Sequence, residues 1–225
     1  MYLGERQQSL STREMVYRKL REQIITMELA PGTPLSENET STLFEVSRTP
    51  VRESFMRLAQ EGLVQVLPQR GTFVSLIDTD LVEEARFMRE QLEGAVIQLA
   101  CQQFDQQALL QLEMNLKQQQ HIIEQSDHKG MFELDQQFHG ILFEGCNKLN
   151  TWNAMQQLTV HLNRSRRLML ASDRNWQHLY EQHRQMYNAI VAKDAELGKK
   201  IMDQHINLSV HDQKLLKEKY PTYFK

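Results

Sequence analysis

Apolar residues recur along the chain with two different periods. Met15, Tyr17, Leu20, Ile24 and Met27 return at helical spacing and predict a helix from about Thr12 to Glu28. Leu29-Ala30-Pro31-Gly32 follows, and proline with glycine stops that helix and turns the chain. Ser36 with Glu39 three residues later reads as a capping box for a second helix reaching about Phe44. After a turn at Glu45–Ser47, Thr49 and Pro50 open a third helix, where an early proline forfeits no hydrogen bond. Val51, Phe55, Leu58 and Leu63 are its apolar, core-facing stripe, and Gly62 ends it. From Val64 to Leu76 the period shortens to two around a turn at Pro68–Gly71, which predicts a β-hairpin.

From Thr79 onward only the helical period is visible. Six stretches are predicted, at about 79–102, 105–126, 129–145, 150–171, 174–192 and 194–218. Breaks fall at Phe104–Asp105, Asp127–Gly130, Gly145–Asn150, Ser172–Asp173 and Lys193–Asp194. On the first stretch Leu81, Ala85, Met88, Leu92, Val96 and Leu99 make one apolar face. Such faces bury themselves by antiparallel packing into a bundle. The last helix is lysine-rich toward Lys214–Lys219 and is expected to fray. Glutamine clusters such as Gln118–Gln120 are expected to be solvated. The fold class is therefore mainly α: a helix-turn-helix with a β-wing over residues 1–78, then an antiparallel six-helix bundle over 79–225.

Composition adds little to this. The chain has 225 residues, 40% hydrophobic and 24% charged, with a net charge of −3, the balance of an ordinary globular protein. No apolar run approaches the ~20 residues that span a bilayer, and the N-terminus lacks the apolar core of a secretory signal. Cys101 and Cys146 stand far apart in sequence and outside any C-x-x-C pair, which suits a reduced, cytoplasmic protein. An overall negative charge excludes a wholly basic nucleic-acid coat but not a local basic face. Between Val46 and Leu76 four arginines, Arg48, Arg52, Arg57 and Arg70, stand against two glutamates, Glu53 and Glu61.

In a helix-turn-helix the second helix presents its first residues to base edges in the major groove. Here those are Ser47, Arg48, Thr49, Pro50, Val51 and Arg52. Arg48 and Arg52, four apart, project from one face, and arginine there can grip guanine O6 and N7 together. Ser47 and Thr49 suit phosphates. Arg70 and Gly71 lie at the wing tip, where glycine permits close approach and arginine suits a phosphate or the minor groove. Taken alone, an arginine pair also fits surface ion pairs with Glu45 or Glu53. The combined order Pro31-Gly32, Leu35, Glu37, Val46-Ser47-Arg48-Thr49-Pro50-Val51-Arg52-Glu53, Leu58, Glu61-Gly62-Leu63 and Gly71-x-Phe73-Val74 resembles the GntR family of bacterial regulators over about 45 residues. The resemblance implies that Ser47, Arg48, Thr49, Arg52, Arg70 and Gly71 contact DNA. Many relatives carry arginine or lysine just after the Glu37 equivalent; here that residue is Asn38, so no charged contact is carried over.

Asp135 and His139 sit four apart on one predicted helix and can face one ligand. His183 and His205 lie on the last two helices, and a bundle can bring all four to its centre. Imidazole with carboxylate suits zinc, nickel, iron or manganese. A solvated pair, or a buried histidine with an ordinary hydrogen bond, fits the spacing equally. Arg89-x-x-Leu92-Glu93, Asp135-x-x-Phe138-His139-x-x-Leu142, Gly145-x-Asn147, His183-x-x-x-Tyr187-x-Ala189-Ile190 and Asp194 followed by His205 resemble the FCD domain of the FadR-like branch. That likeness implies a divalent transition metal, zinc foremost, on Asp135, His139, His183 and His205. Six helices point to the VanR-type subgroup, which senses small acids.

Arg89 and Arg166 both fall near apolar helical faces, and an inward arginine needs an anion. Either could take an effector carboxylate; Arg89 could instead pair with Glu93, and Arg166 could face solvent. His121, His128, His161, His178 and His211 are expected at the surface, Trp152 and Trp176 in or at the edge of the core. The whole reads as a non-enzymatic transcription regulator, a repressor that binds a palindromic duplex as a homodimer. In this reading a small organic acid bound near the metal alters the placement of the two winged domains. A metal-dependent enzyme acting on a small acid, or an architectural DNA-binding protein with a structural metal, are the alternatives. No H-E-x-x-H, nucleophile motif or phosphate-binding glycine loop supports the enzyme.

Overall fold

The computed structural model describes residues 11–125, 127–172 and 176–225, with the side chains of 128 and 209–212 outside that description. The predicted break at Ser172–Asp173 therefore falls partly outside it. The chain divides into two compact units, one up to Leu76 and one from Ile77.

The first unit holds α1 (Thr12–Ile25), β1 (Pro34–Leu35), α2 (Glu37–Leu43), α3 (Arg48–Gln60), β2 (Val64–Leu67) and β3 (Gly71–Val74). Ser36 caps α2 by accepting the Glu39 N–H, as its sequence implied. α1 stops short of the proline and glycine, because Met27 takes a left-handed turn (φ 66°) and Leu29 N–H returns to the Gln23 carbonyl. β3 pairs antiparallel with β2, Val64 opposite Val74 and Leu67 opposite Gly71, and on its other side with the short β1. That third strand has no period in the sequence, since two residues cannot show one. α1 packs on α3, and Val16, Leu20 and Ile24 of α1, Val51, Phe55 and Leu58 of α3, and Leu63, Val64 and Val74 are all buried in this unit.

Among the described residues the second unit has seven helices: α4 (Thr79–Gln102), α5 (Gln106–Gln125), α6 (His128–Gly145), α7 (Leu149–Leu158), α8 (Val160–Ser172), α9 (Trp176–Ala192) and α10 (Ala195–Lys219). The stretch predicted as one helix over 150–171 is broken at Thr159. Thr159 is buried, and its hydroxyl bonds the Gln156 carbonyl and accepts from Asn163 Nδ2. A side chain that competes for the backbone in this way interrupts a helix. The count of six behind the VanR-type assignment is thereby corrected to seven.

Two further expectations are corrected. The buried face of α4 is Val82, Ala85, Arg89, Glu93, Val96, Ile97 and Ala100, whereas Leu81 and Leu99 are exposed. The helix is turned so that an ion pair, not only leucines, faces inward. The end of α10 does not fray: Leu216 and Phe224 are buried, and Phe224 bridges in parallel to Ile77. Ile97, Leu112, Phe138, Leu142, Phe143, Met155, Met186, Ile190 and Met202 form the main core. Trp176 lies in a second cluster with Met131, Phe132 and Leu170, and Trp152 packs on the main one. Burial pushes the thiols of Cys101 and Cys146 up to about 11, so neither is a reactive thiolate at neutral pH. Among the described residues no helix is long and apolar enough to cross a membrane.

Gly145 ends α6 where an added Cβ would strike the Phe104 ring and approach Ala108 Cβ to 2.8 Å. Gly145→Ala is expected to destabilise the helical unit by about 1–3 kcal/mol through overpacking, against the better helix propensity of alanine. Chemical denaturation followed by circular dichroism measures it, and an unchanged or raised midpoint would contradict the packing.

Candidate metal centre and DNA-reading surface

Six helices of the second unit converge on one buried cluster. α6 supplies Asp135 and His139, one turn apart on the same face; α9 supplies His183 and α10 His205. One donor atom from each lies within 4.8 Å of every other, and all four residues are buried. Asp135 Oδ1 stands 3.8, 3.7 and 3.8 Å from Nε2 of His139, His183 and His205. The Nε2 atoms of His139 and His205 are 3.1 Å apart.

Each imidazole is aimed by a partner on its other nitrogen. Nδ1 of His139 meets Glu93 Oε2, Nδ1 of His183 lies 2.8 Å from Gln119 Oε1, and Nδ1 of His205 lies 3.0 Å from Gln182 Oε1. For His183 the polarity follows from a chain of bonds. The Leu134 carbonyl can only accept, so Asn115 Nδ2 donates to it; Gln119 Nε2 donates to Asn115 Oδ1, leaving Gln119 Oε1 to accept from Nδ1. Nε2 of His183 is then a bare lone pair facing the cluster. Phe138 stacks on the same ring at 4.2 Å between centroids and holds its plane.

Burial pushes His183 down to about 3 and His205 well below its usual range, so both are neutral at pH 7. Burial alone would raise Asp135; the Arg166 guanidinium and then the three imidazoles outweigh it and hold the carboxyl well below the usual range. Glu93 behaves likewise: burial opposes, Arg89 and His139 prevail, and it falls to about 2.

These residues fit a divalent metal. Asp135 Oδ1 and His183 Nε2 are buried without a hydrogen-bond partner, which is costly unless a cation satisfies them. Metal–ligand bonds of about 2.1 Å set neighbouring donors about 3.0–3.4 Å apart, and the observed spacings of 3.1–3.8 Å lie near that range. Nδ1 bonds to carboxylate and amide oxygens are the outer-shell arrangement that fixes ligand histidines.

Arg166 pairs with Asp135 Oδ2, and Arg89 Nε bonds Glu93 at 2.5 Å; both are buried. Arg166 thus does not face solvent, and Arg89 makes the local pair its spacing allowed. Each retains one buried nitrogen without a partner, Nη2 of Arg89 and Nη1 of Arg166. Both line a cavity of about 20 Å³ that also touches Asp135, His205, Leu162 and Arg86.

Sequence reasoning named Glu93 only as a partner for Arg89, not for His139, and missed Gln119 and Gln182. Gln119 is fully buried while Gln118 and Gln120 are exposed, which corrects the reading of that cluster as solvated. The available signal was its helical spacing from Leu112, Asn115 and Leu116. His161 is also buried, accepting the Asp78 N–H, so its expected surface position is corrected. His121 and His178 are exposed; the side chains of His128 and His211 lie outside the described residues.

In the first unit, α3 begins with Ser47, Arg48, Thr49 and Arg52 all exposed. Among the described residues no ion pair engages Arg48, Arg52 or Arg70, and Glu53 pairs with Arg13 at 3.4 Å. Ser47 caps the helix without a side-chain bond, which leaves its hydroxyl and the first N–H groups of α3 facing outward. Arg70 and Gly71 are exposed at the hairpin tip, where Gly71 has φ 107°.

Residues 12–74 match the family model described as bacterial regulatory proteins, gntR family, and residues 84–208 match the FCD domain. The chain is 36% identical over 193 residues to the HTH-type transcriptional repressor RspR of Escherichia coli (strain K12), covering 86% of this chain and 85% of that one. It is 36% identical over 214 residues to an HTH-type transcriptional regulator in an unstable DNA locus of Streptomyces ambofaciens, covering 95% and 90%. Among solved structures, E. coli McbR/YncC has the same fold, with a TM-score of 0.74, 23% identity and coverage of 91% of this chain and 100% of that one.

The buried imidazoles give the metal-free protein a defined acid response. His183 sits near 3 folded against about 6.5 in an unfolded chain, so acid protonates the unfolded state first. This contribution is complete above about pH 6.5 and drains as pH falls toward 3; Asp135 and Glu93, also depressed, add to the loss below about pH 4. The urea midpoint for helix loss is expected to fall steadily from pH 7 to pH 4, and a flat or rising midpoint would contradict the buried neutral state of His183 and His205.

Proposed function

The chain belongs to the GntR family of bacterial regulatory proteins and carries their FCD domain, and from that premise we propose that this transcription regulator is a metal-dependent, acid-responsive repressor acting in the cytoplasm. The carrying observation is the convergence of Asp135, His139, His183 and His205, with unsatisfied buried atoms, beside a cavity lined by two arginines with one unpartnered nitrogen each. Asp135, His139, His183 and His205 would hold a divalent transition ion, zinc foremost. A bound ion supplies a fixed positive charge and open positions for an oxygen ligand. Arg89 and Arg166 supply a planar, charge-assisted grip on a carboxylate. Leu162 offers such an acid an apolar wall.

DNA recognition falls to Arg48 and Arg52, whose guanidiniums stand exposed and engage no ion pair among the described residues, with Ser47 and Thr49 at the helix start for phosphates. Arg70 and Gly71 reach the backbone or minor groove from the hairpin. A homodimer on a palindromic operator matches two-fold protein to two-fold DNA. The acid regulates because its affinity differs between the DNA-bound and free forms, and operator affinity must then shift by the same factor. The name of the RspR relative, a repressor, supports repression.

Selection of duplexes from a random pool tests the DNA reading. The wild type is expected to enrich a palindrome, and Arg52→Ala to lose preference at one position per half-site with about 10-fold weaker binding. Enrichment of no sequence by the wild type would refute it. Zinc calorimetry tests the centre: His183→Ala is expected to abolish tight uptake, and Gln119→Met to weaken it by about 10–100-fold. Equal affinity in all three proteins would place the metal elsewhere.

A further inference from the structure

Three consecutive residues lead the chain out of the DNA-reading unit and into α4, and each is held by groups distant in sequence. Ile77 is fully buried; its N–H donates to the Tyr223 carbonyl at 2.8 Å, and its carbonyl accepts the Lys225 N–H at 3.0 Å. Asp78 Oδ2 meets Lys225 Nζ at 2.8 Å, and the Asp78 N–H donates to His161 Nδ1 at 3.1 Å. The Thr79 hydroxyl donates to the Lys225 carbonyl and accepts from Lys217 Nζ, both at 3.2 Å. Phe224 is buried at the centre of this clasp.

The anchors come from two helices, and both run from the metal centre. His161 lies on the first turn of α8, five residues before Arg166, which grips Asp135. At 1.5 Å per residue that is about 7.5 Å along one rod. The clasp Tyr220–Lys225 continues directly from α10, which carries His205. α8 is buried on almost every face, from Val160 through Arg166, so a shift at Arg166 cannot dissipate into solvent-facing side chains. The cavity beside the centre, about 20 Å³, admits about one water molecule. Anything larger must displace its walls, which include Leu162, Arg166 and Met169 of α8 and Ile206 of α10.

We propose that His161 and the segment Tyr220–Lys225 form a relay that reports occupancy of the metal-and-acid site to Ile77–Thr79, the entry to the DNA-reading unit. The inference rests on the metal reading above. Asp135 and His205, held on one ion, tie α10 to α6, and Arg166 ties α8 to the same carboxylate. Both anchors of the entry segment are then restrained together. Physical contiguity of this kind is a route for coupling only if the two ends respond together.

Hydrogen exchange of the full chain, metal-stripped or loaded with zinc alone, tests it. Zinc is expected to slow exchange of residues 76–82 about tenfold, along with α6 and α9. In His161→Leu, and separately in a chain lacking residues 221–225, calorimetry should find zinc affinity unchanged while the zinc-induced slowing at 76–82 disappears. Two variants are used so that one that fails to fold leaves the other to decide. Zinc binding that protects α6 and α9 but leaves 76–82 unchanged in the wild type would overturn the relay and leave the metal site standing. Slowing that persists in a folded variant would also overturn it. Failure of zinc to bind would remove the metal reading, and the relay with it.

Discussion

A carboxylate buried among three imidazoles at the centre of a helical bundle has to be satisfied from several directions at once. Isolated burial of such a charge is prohibitive, and the second unit is arranged around avoiding it. Asp135 is countered by Arg166 of α8 and faces His139, His183 and His205 of α6, α9 and α10. Glu93 and Arg89 bring in α4, and Gln119 brings in α5. Six of seven helices therefore owe part of their rotation and height to one polar cluster. The inward turn of α4, which leaves Leu81 and Leu99 exposed, is the plainest case of that cluster overriding an apolar pattern.

An apolar centre would hold a bundle together more simply. Buried ion pairs are weak contributors to stability, and these leave Asp135 Oδ1, His183 Nε2, Arg89 Nη2 and Arg166 Nη1 without hydrogen-bond partners among the described residues. The unsatisfied atoms are two acceptors and two donors in one place, chemically suited to a cation and to an anion respectively. Ligands that completed such a site would couple their binding to the stability of the helices that build it.

The first unit follows the opposite rule. Arg48 and Arg52 at the start of α3 are exposed and engage no ion pair among the described residues, while the charges between α1 and α3 are paired: Arg57 bonds Glu14 at 2.9 Å, Arg21 bonds Glu61 at 2.9 Å, and Tyr17 donates to Glu61. These pairs, with the apolar stripe beneath, fix the angle at which α3 presents its first turn.

The sequence by itself determined the helix-turn-helix with its wing, the all-helical second unit, and the identity of the four residues that meet at the candidate metal centre. Periodicity and turn residues are local, and Asp135 with His139 is a local i,i+4 pair. His183 and His205 came through family resemblance rather than spacing. Only the tertiary structure decided the partners of those residues. Gln119 looks like its exposed neighbours Gln118 and Gln120, and nothing local states that a histidine 64 positions later will need its oxygen. The pairing of Arg166 with Asp135, the burial of His161 and the clasp at Phe224 were equally illegible, because burial of a polar side chain is settled by which distant group arrives to satisfy it.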